Sequence, residues 1–563
     1  MNSVNCGVIT RNLYTVANNL NRDLGRVKIH TDGDEKIKAL IDGHVNCLNS
    51  LGREFFVKEN GEVTELFIAV HRYNQCVQNI DKKKTYLLAG RVHLMTITNQ
   101  NVPELLPITA IVKDKMKVIK GDQPEIVKER RFFHIHNIRR YPGDEIDHSK
   151  EAASIFISTQ IERLLSFVGR IIEAIGRIFG CKIERFQKFH YRNKCETDNQ
   201  IYSKASPMVF TQNPEPTSYW LGHASLLLNL PLRSTTGNTA SFNVITDPVE
   251  GDLNKLLYPR QTNFARPMES LPASHVYLLS HNHLDHFDKA AIRKLVSQQP
   301  IMVVPKGDGY RYTDVGFHNV IELDWWEKQT IELNHDNETY EMRICATPAR
   351  HWAGQGPCGG HESTFLGYVI EGVEGGDVYF AGDTARLSDD HIKKLRDNFN
   401  IKWSFQPGGP DEVRKDMEST HQASVDALWM HFNLMVKKVY TEDMNKKDFL
   451  DAASNLKTIY MHTMTFKLGN LHLSDTKDSV ERVFSALEND GAVEELKLKV
   501  YERQVFDELV NIAKSFKFSN EEELSLKEIA EILRDTVAVP KIGSRVGLQS
   551  EFIQSDLFGE NAV

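Results

Sequence analysis

The chain has 563 residues, of which 41% are hydrophobic and 26% charged. This ordinary composition excludes wholesale disorder and, at roughly 150 residues per domain, predicts two to four globular domains. No apolar run approaches the about 18 residues of a membrane-spanning helix, and the first residues lack the basic and then apolar pattern of a secretory signal, so we expect neither feature.

The net charge of −8 is unevenly spread along the chain. Residues 1–200 carry 31 Lys and Arg against 24 Asp and Glu, a net charge of +7, whereas residues 201–563 carry 37 against 52, a net charge of −15. An acidic second part would repel polyphosphates, which argues against a nucleic-acid partner. The seven cysteines are scattered and form no CxxC pair, which argues against a disulfide framework and for a reducing, cytoplasmic location.

Four segments follow one another in chain order. Residues 1–150 are predicted to form a mixed α/β module whose role stays open. Residues 151–190 are predicted to be an amphipathic helical segment, because apolar side chains recur there at steps of three and four. Residues 200–475 alternate short apolar runs with turns, as expected of a domain built from sheets. Residues 476–563 are predicted to be a charged, mainly helical C-terminal extension.

The helical segment contains a possible membrane-binding surface at 153–180. Arg163, Arg170 and Arg177 repeat every seven residues, so they lie near one stripe of the helix, opposite its apolar face. This pattern is typical of a helix that lies in a membrane interface, and it predicts peripheral membrane contact. The alternative is an ordinary amphipathic helix that packs on the N-terminal module.

The strongest chemical signal is the run SHNHLDHFD, which follows the apolar, strand-like HVYLL. Its possible metal ligands are His281, His283, Asp285 and His286. Imidazole and carboxylate without thiolate suit zinc, with iron and manganese as alternatives. A polar surface loop is the competing interpretation, and the neighbouring strands argue against it.

The same order, an apolar strand and then a possible ligand, recurs four times. Asp247 follows FNVIT and His351 follows RICATPAR. Asp383 follows VYFAG and His462 follows TIYM. Residues that follow strands can meet at one edge of a sheet structure, where sites are built on rigid scaffolds. The sequence therefore predicts that these residues converge with the SHNHLDHFD run.

The ordered set of motifs resembles the metallo-β-lactamase superfamily, and within it the N-acyl-phosphatidylethanolamine phospholipase D branch. The resemblance covers about 220–475. It rests on WLGHASLLL, ITDP, LLSHNHLDHFD, ELDWWE, TPARHW, YFAGDTA and YMHTMTF.

This resemblance implies an αββα sandwich, flanked here by the N-terminal α/β module and the helical C-terminal extension. It also implies a centre of two divalent metal ions, zinc by preference, with one ligand set for each ion and one shared carboxylate. The sets are His281, His283 and His351 for one ion, Asp285, His286 and His462 for the other, and Asp383 as the bridge.

Further residues become candidates by the same resemblance. His223 is expected to be either a pocket residue that is not a ligand or a satisfied core histidine. His421 is expected to act in proton transfer or phosphate contact, or else to lie at a helix start on the surface. With Asp285, these two histidines are the catalytic candidates. Asp247 is expected to orient a ligand histidine from behind.

The implied activity is hydrolysis of a phospholipid phosphodiester. A hydroxide formed at the two ions would attack phosphorus, releasing N-acylethanolamine and leaving phosphatidic acid. The alternative is hydrolysis of a small soluble ester, such as a lactone or sugar-phosphate lactone, at the same site. A binding or regulatory protein with a vestigial metal site is a third possibility. The sequence gives no oligomeric state.

Overall fold

A computed structural model describes twelve stretches of the chain. They are residues 57–59, 62–73, 88–97, 110–112, 123–131, 134–142, 215–253, 260–354, 363–410, 417–466, 475–489 and 496–548. The predicted helical segment 151–190 lies outside them. No helix within these stretches has both the length and the apolar character needed to cross a bilayer.

The strands follow in chain order. They are β1 (Val57–Glu59), β2 (Glu62–Tyr73), β3 (Leu88–Ile97), β4 (Ala110–Val112), β5 (Glu125–Arg131), β6 (His134–Arg140), β7 (Thr217–Gly222), β8 (Ser225–Arg233), β9 (Thr239–Thr246), β10 (Val276–Leu278), β11 (Ile301–Pro305), β12 (Val320–Leu323), β13 (Lys328–His335), β14 (Glu338–Pro348), β15 (Leu366–Glu371), β16 (Asp377–Phe380), β17 (Ile401–Pro407), β18 (Lys457–Met461), β19 (Val537–Ala538) and β20 (Arg545–Gly547).

The helices are short in the centre of the chain and longer near its end. They are α1 (Lys289–Lys294), α2 (Gly309–Thr313), α3 (Asp389–Asn398), α4 (Asp426–His431), α5 (Lys437–Val439), α6 (Lys446–Ala453), α7 (Asp475–Glu488), α8 (Val500–Lys514) and α9 (Leu526–Thr536). A 3₁₀ turn spans Met268–Ser270, and a π-helical stretch, Phe432–Val436, connects α4 with α5.

Two mixed sheets form the body of the protein. The first has the order β12-β11-β10-β9-β8-β7-β20, and the second β19-β18-β17-β16-β15-β14-β13-β4. In each sheet a parallel group of strands, β9 to β12 or β16 to β19, joins an antiparallel group. The predicted α/β fold with two sheets is confirmed. Strands β1 to β3 form a separate sheet, and β5 pairs with β6.

The first sheet is buried on both faces, which explains its apolar strands. Along β8, Leu226 and Leu228 belong to the large core that also contains Ile344 of the second sheet. Leu227, which points the other way, joins a second core with Ile292 of α1. Side chains alternate between the faces of a strand, so a run without polar residues is expected where both faces are covered.

Segments on either side of 200–475 add edge strands to the two sheets. Residues 110–112 of β4 pair antiparallel with 331–333 of β13. At the other end of the chain, β19 pairs with β18 and β20 with β7. The predicted domain boundaries stay predictions, but the two main sheets contain strands from three of the four predicted segments.

Candidate metal centre

The possible ligands stand directly after strands, as the sequence pattern predicted. Asp247 follows β9, and the 281–286 loop comes shortly after β10. His351 comes after β14, Asp383 after β16 and His462 after β18. The ends of β9 and β10 in the first sheet and of β14, β16 and β18 in the second therefore deliver these side chains to one place.

Three imidazoles form the first group. His283 Nδ1 lies 2.7 Å from His281 Nε2 and 3.2 Å from His351 Nε2. Nitrogens that bind one tetrahedral zinc ion at about 2.0–2.1 Å are roughly 3.3 Å apart. The three ring nitrogens are therefore spaced much as they would be around a single ion.

A second group is centred on Asp285. Its Oδ2 lies 3.1 Å from His223 Nε2, 3.5 Å from His462 Nε2 and 3.8 Å from His286 Nε2. One ligand atom from each of these four residues falls within 4.8 Å of all the others. This second group therefore has the size of a metal site and contains one histidine, His223, more than the predicted ligand set.

Asp383 lies between the two groups. Its Oδ2 is 3.0 Å from His462 Nε2 and 3.2 Å from His286 Nε2, both in the second group. The same oxygen is 3.8 Å from His351 Nε2 of the first group and 3.8 Å from His421 Nδ1. Asp383 Oδ2 therefore lies within 3.8 Å of ligand atoms from both groups.

Hydrogen bonds at Nδ1, on the side of the ring that faces away from the centre, fix the orientation of two imidazoles. His286 Nδ1 lies 2.7 Å from Asp247 Oδ2, and Asp247 also accepts hydrogen bonds from Ser280 N (2.8 Å) and Ser280 Oγ (2.5 Å). His351 Nδ1 donates to Thr420 O at 2.7 Å. With the proton on Nδ1, the Nε2 lone pair of each ring faces the centre, as a metal ligand requires.

Burial keeps the first group neutral. It lowers the pKa of His281 and His283 well below the ordinary value and the pKa of His351 to about 4. A neutral imidazole keeps the lone pair that binds a metal. At neutral pH, these three rings are therefore ready to act as ligands.

The second group attracts positive charge. Burial alone would lower the pKa of His462, but Asp383 and Asp285 outweigh it and raise that pKa to about 9. Burial would likewise raise the pKa of Asp383, yet the neighbouring His286 and His462 hold it well below its usual range. Both shifts have the direction expected where carboxylates and cationic imidazoles stabilise each other. His223 differs, because burial and His462 lower its pKa to about 3.

The polar atoms at the centre fit a metal ion. His286 Nε2, His462 Nε2 and Asp383 Oδ1 are buried and make no hydrogen bond of good geometry among the described residues, although the two imidazole nitrogens lie within 3.2 Å of Asp383 Oδ2. Such a buried group costs about 1–3 kcal/mol, and a divalent cation would satisfy several of these atoms at once. The His/Asp cluster can thus bind metal, and its lack of thiolate matches zinc, iron or manganese chemistry.

Backbone strain is concentrated at the same place. His223 (φ 56°), Asp247 (φ 34°) and His462 (φ 54°) are non-glycine residues in or near the left-handed region. His223 N donates to Thr465 Oγ1 (2.7 Å), and His462 N donates to His223 O (2.9 Å), which holds two of them in place. Strain of this kind costs about 1–3 kcal/mol per residue and is found mainly at functional sites.

The structure brings all nine predicted site residues together. His223 is 1% exposed and touches Asp285, so it belongs to the second group. His421 is 8% exposed and its ring centroid lies 4.8 Å from that of His351. Their assigned roles stay predictions.

Sequence reasoning missed several supporting residues. Asn282 stands between two candidate ligands and is fully buried. Its Nδ2 donates to Asp308 Oδ1 and Ser363 Oγ, both at 2.9 Å, and its Oδ1 accepts from Gly354 N at 2.6 Å. These bonds join the loops that carry the first group. The only available signal was the position of Asn282 inside the motif, because its partners are distant in sequence.

Comparison with known proteins finds one matching family model and several related proteins. Residues 242–441 match the model of the Beta-lactamase superfamily domain. Over 212 residues the chain is 30% identical to the mitochondrial N-acyl-phosphatidylethanolamine-hydrolyzing phospholipase D of Saccharomyces cerevisiae, covering 34% of this chain and 44% of that protein. Over 271 residues it is 26% identical to N-acyl-phosphatidylethanolamine-hydrolyzing phospholipase D 1 of Caenorhabditis elegans, covering 42% and 70%.

Among solved structures, a possible metal-dependent hydrolase from Veillonella parvula aligns over 59% of this chain and 99% of its own, with 14% identity and a TM-score of 0.34. The chain spans less than half the length of the yeast relative. The region that matches the family model contains most of the candidate ligands, and the yeast and nematode relatives are named as hydrolysing N-acyl-phosphatidylethanolamine. Residues 242–441 are thus similar to the Beta-lactamase superfamily domain, and the chain is related over 34–42% of its length to N-acyl-phosphatidylethanolamine-hydrolyzing phospholipases D.

Proposed function

We propose that this protein is a two-metal phosphodiesterase that cleaves N-acyl-phosphatidylethanolamine into N-acylethanolamine and phosphatidic acid. The observation that carries the proposal is Asp383, whose carboxylate lies between two separate groups of ligand atoms. Two like-charged ions close together need an anionic group between them, and Asp383 supplies it.

Zinc is the proposed metal, and each side chain has an assigned place. One ion would be held by His281, His283 and His351. The other ion would be held by Asp285, His286 and His462. Asp383 would bind both ions. Such a pair of cations supplies water of lowered pKa and stabilises the charge that develops on a phosphoryl oxygen.

His223 and His421 are proposed to act beside the ligands. His223 Nε2 lies 3.1 Å from Asp285 Oδ2, so it can hold this carboxylate in the orientation that the second ion needs. Burial lowers the pKa of His421 to about 3. Its ring is therefore neutral at pH 7, which suits a hydrogen bond to a phosphoryl oxygen better than donation of a proton to the leaving group.

The choice of a lipid over a small lactone rests on the relatives. Leu284, between His283 and Asp285, is 52% exposed, but a single exposed leucine is ordinary on a protein surface and does not distinguish the two substrates. The names of the yeast and nematode relatives point to the same lipid.

A phospholipid substrate implies contact with a membrane surface from the cytoplasmic side. The stretch 153–180, with its three arginines, is the proposed contact, although it lies outside the described residues. Flotation with liposomes tests this part. The variant in which Arg163, Arg170 and Arg177 are all changed to Gln should bind anionic liposomes more weakly, and equal binding would contradict it.

The function is tested with the purified full chain loaded with zinc. Products are measured from N-acyl-phosphatidylethanolamine in mixed micelles and, in parallel, from a panel of lactones. We expect release of N-acylethanolamine and phosphatidic acid, lost on chelation and restored by metal. Turnover of a lactone without turnover of the lipid would contradict the proposal and favour the small-ester alternative.

A further inference from the structure

The loop that carries Asp383 is tied to the C-terminal extension through one side chain. Arg386, three residues after Asp383, donates from Nε to Asp426 Oδ1 and from Nη1 to Glu508 Oε2, both at 2.6 Å. Its guanidinium also lies over the ring of Trp429, 4.6 Å from the centroid. Arg386 is thus held by two carboxylates and one aromatic ring.

Asp426 links this arginine to the segment that carries His421. Its side chain is 1% exposed, and its Oδ2 accepts a hydrogen bond from Ala423 N at 2.6 Å. The two segments also meet through Gln422 N, which donates to Thr384 O at 2.8 Å. Residues next to Asp383 and next to His421 are therefore connected twice, once by backbone and once by the Arg386–Asp426 pair.

Glu508 adds the connection to the extension. It lies on α8, whose residues Val505, Phe506 and Leu509 are buried in the main core. Its second oxygen, Oε1, accepts from Gln504 Nε2 of the same helix at 3.0 Å. A helix anchored by its apolar face thus offers a carboxylate at a fixed position, and Arg386 joins it.

We infer that the C-terminal extension supports the metal centre, with Arg386 and Glu508 as positioning residues for the Asp383 and His421 segments. The planar guanidinium can bind two carboxylates in fixed directions, which a lysine cannot do. The inference rests on the metal site of the proposed function but not on its substrate. Partners behind metal ligands typically change metal affinity by about 10–100-fold when they are altered.

The test compares neighbouring substitutions on α8. Glu508→Gln keeps the size of the side chain but removes the charge that holds Arg386. Asp507→Asn is the matched control, because Asp507 pairs with Arg503 on the surface of the same helix and touches neither segment. Metal affinity is measured by competition with a chelator, and ligand geometry by the visible absorption spectrum of the cobalt-substituted protein.

We expect Glu508→Gln to bind metal about tenfold more weakly and to shift the cobalt spectrum, with Asp507→Asn unchanged in both. Arg386→Lys should behave like Glu508→Gln, and Glu508→Asp, which keeps the charge, should recover part of the affinity. Glu508→Gln with native affinity and spectrum would overturn the inference, even if its melting temperature fell. A wild-type protein that binds no metal would instead overturn the proposed function and this inference with it.

Discussion

At the residue scale, the centre depends on where negative charge is placed. Asp285 and Asp383 are the two candidate ligands that carry charge, and they raise the pKa of His286 and His462, so that these two imidazoles take up protons. Metal ions replace those protons when they bind. The two carboxylates therefore determine the affinity of the site for cations, and the imidazoles determine the arrangement of the ligand atoms around an ion.

The first prediction concerns the shared carboxylate. Asp383→Asn keeps the shape of the side chain but removes the charge between the two groups. We expect metal affinity to fall by more than about 100-fold, beyond the usual loss for supporting residues, and lipid hydrolysis to fall at least as much. Metal analysis after dialysis and the lipid assay are the measurements. Asp390→Asn, at an exposed position in the first turn of α3, is the control.

The second prediction concerns the bond behind His286. Both oxygens of Asp247 accept hydrogen bonds, Oδ1 from Ser280 N and Oδ2 from Ser280 Oγ and His286 Nδ1. Asp247→Asn keeps one weaker acceptor oxygen and turns an NH2 group towards a donor, so the hold on the His286 Nδ1 proton weakens. We expect metal affinity to fall by about 10–100-fold while the fold is kept. Chelator competition measures the affinity, and circular dichroism checks the fold. Native affinity in this variant would show that the ring needs no such partner.

The residues of the candidate site could be predicted from sequence because metal chemistry admits few residue types. His, Asp and their order after strands indicated eight candidate residues, and the resemblance to the metallo-β-lactamase superfamily then separated the seven predicted ligands from Asp247. Ser280, Asn282 and Thr420 could not be found this way, since hydroxyl, amide and backbone groups are common and carry no spacing signal. Which ring nitrogen faces the centre also depends on these partners, so it had to come from the structure.

At the element scale, a buried histidine joins the extension to the central region. His431, at the end of α4, lies 2.9 Å from Thr458 Oγ1 of β18 through Nδ1 and 2.9 Å from Thr536 Oγ1 of α9 through Nε2. Burial lowers its pKa from 6.5 to about 3. The ring is neutral in the folded protein across most of the acidic range.

The third prediction follows from this shift. Below pH 6.5 the unfolded chain binds a proton at His431, whereas the folded protein does not bind it until the pH approaches 3. The free energy of unfolding therefore falls as the pH drops from 6.5 towards 3. The largest possible slope is about 1.4 kcal/mol per pH unit for this one group. His431→Gln cannot titrate at this position. Its free energy of unfolding, measured by urea titration from pH 7 to 4, should therefore fall less steeply than that of the wild-type protein. An unchanged slope would contradict the assignment.

The end of the chain contributes a strand to each main sheet, and this leads to the fourth prediction. Trp403 Nε1 donates to Leu548 O at 2.7 Å, and Trp220 N to Ser544 O at 3.2 Å, so this segment closes both sheets. Removing residues 537–563 takes away β19 and β20 together and should lower the melting temperature sharply or prevent folding. Removing only 549–563 is the control, and similar stability of both truncations would contradict the prediction.

These short edge strands are the part of the fold that could not be predicted from the sequence. The C-terminal extension was predicted to be mainly helical, and α7, α8 and α9 agree with its periodicity. Strands of two or three residues, such as β4, β19 and β20, have no detectable period. They pair because an open sheet edge is available, which is a property of the tertiary structure and not of their own residues.

At the scale of the whole molecule, the first and last parts of the chain both complete the central sheets. Before residue 150, the described part of the chain gives β4 to the second sheet, and the side chains of Gln123 and Tyr141 contact the central region. Gln123 Nε2 donates to Trp325 O at 2.7 Å. Tyr141 is 4% exposed, and its hydroxyl accepts from Ser388 N at 2.9 Å and contacts His391. This region therefore belongs to the structural frame of the two central sheets.

The fifth prediction separates that frame from the rest of the N-terminal part. Deleting 1–100 keeps β4, Gln123 and Tyr141, whereas deleting 1–150 removes all three and opens the edge of β13. Loss of one buried aromatic side chain costs about 3–5 kcal/mol. At roughly 2–4 °C per kcal/mol for a domain of this size, the longer deletion should lower the melting temperature by roughly 10 °C or more relative to the shorter one.

Differential scanning calorimetry measures the difference. Equal melting temperatures would mean that the second sheet is stable without its N-terminal edge strand, and that residues 1–150 form a separate module after all.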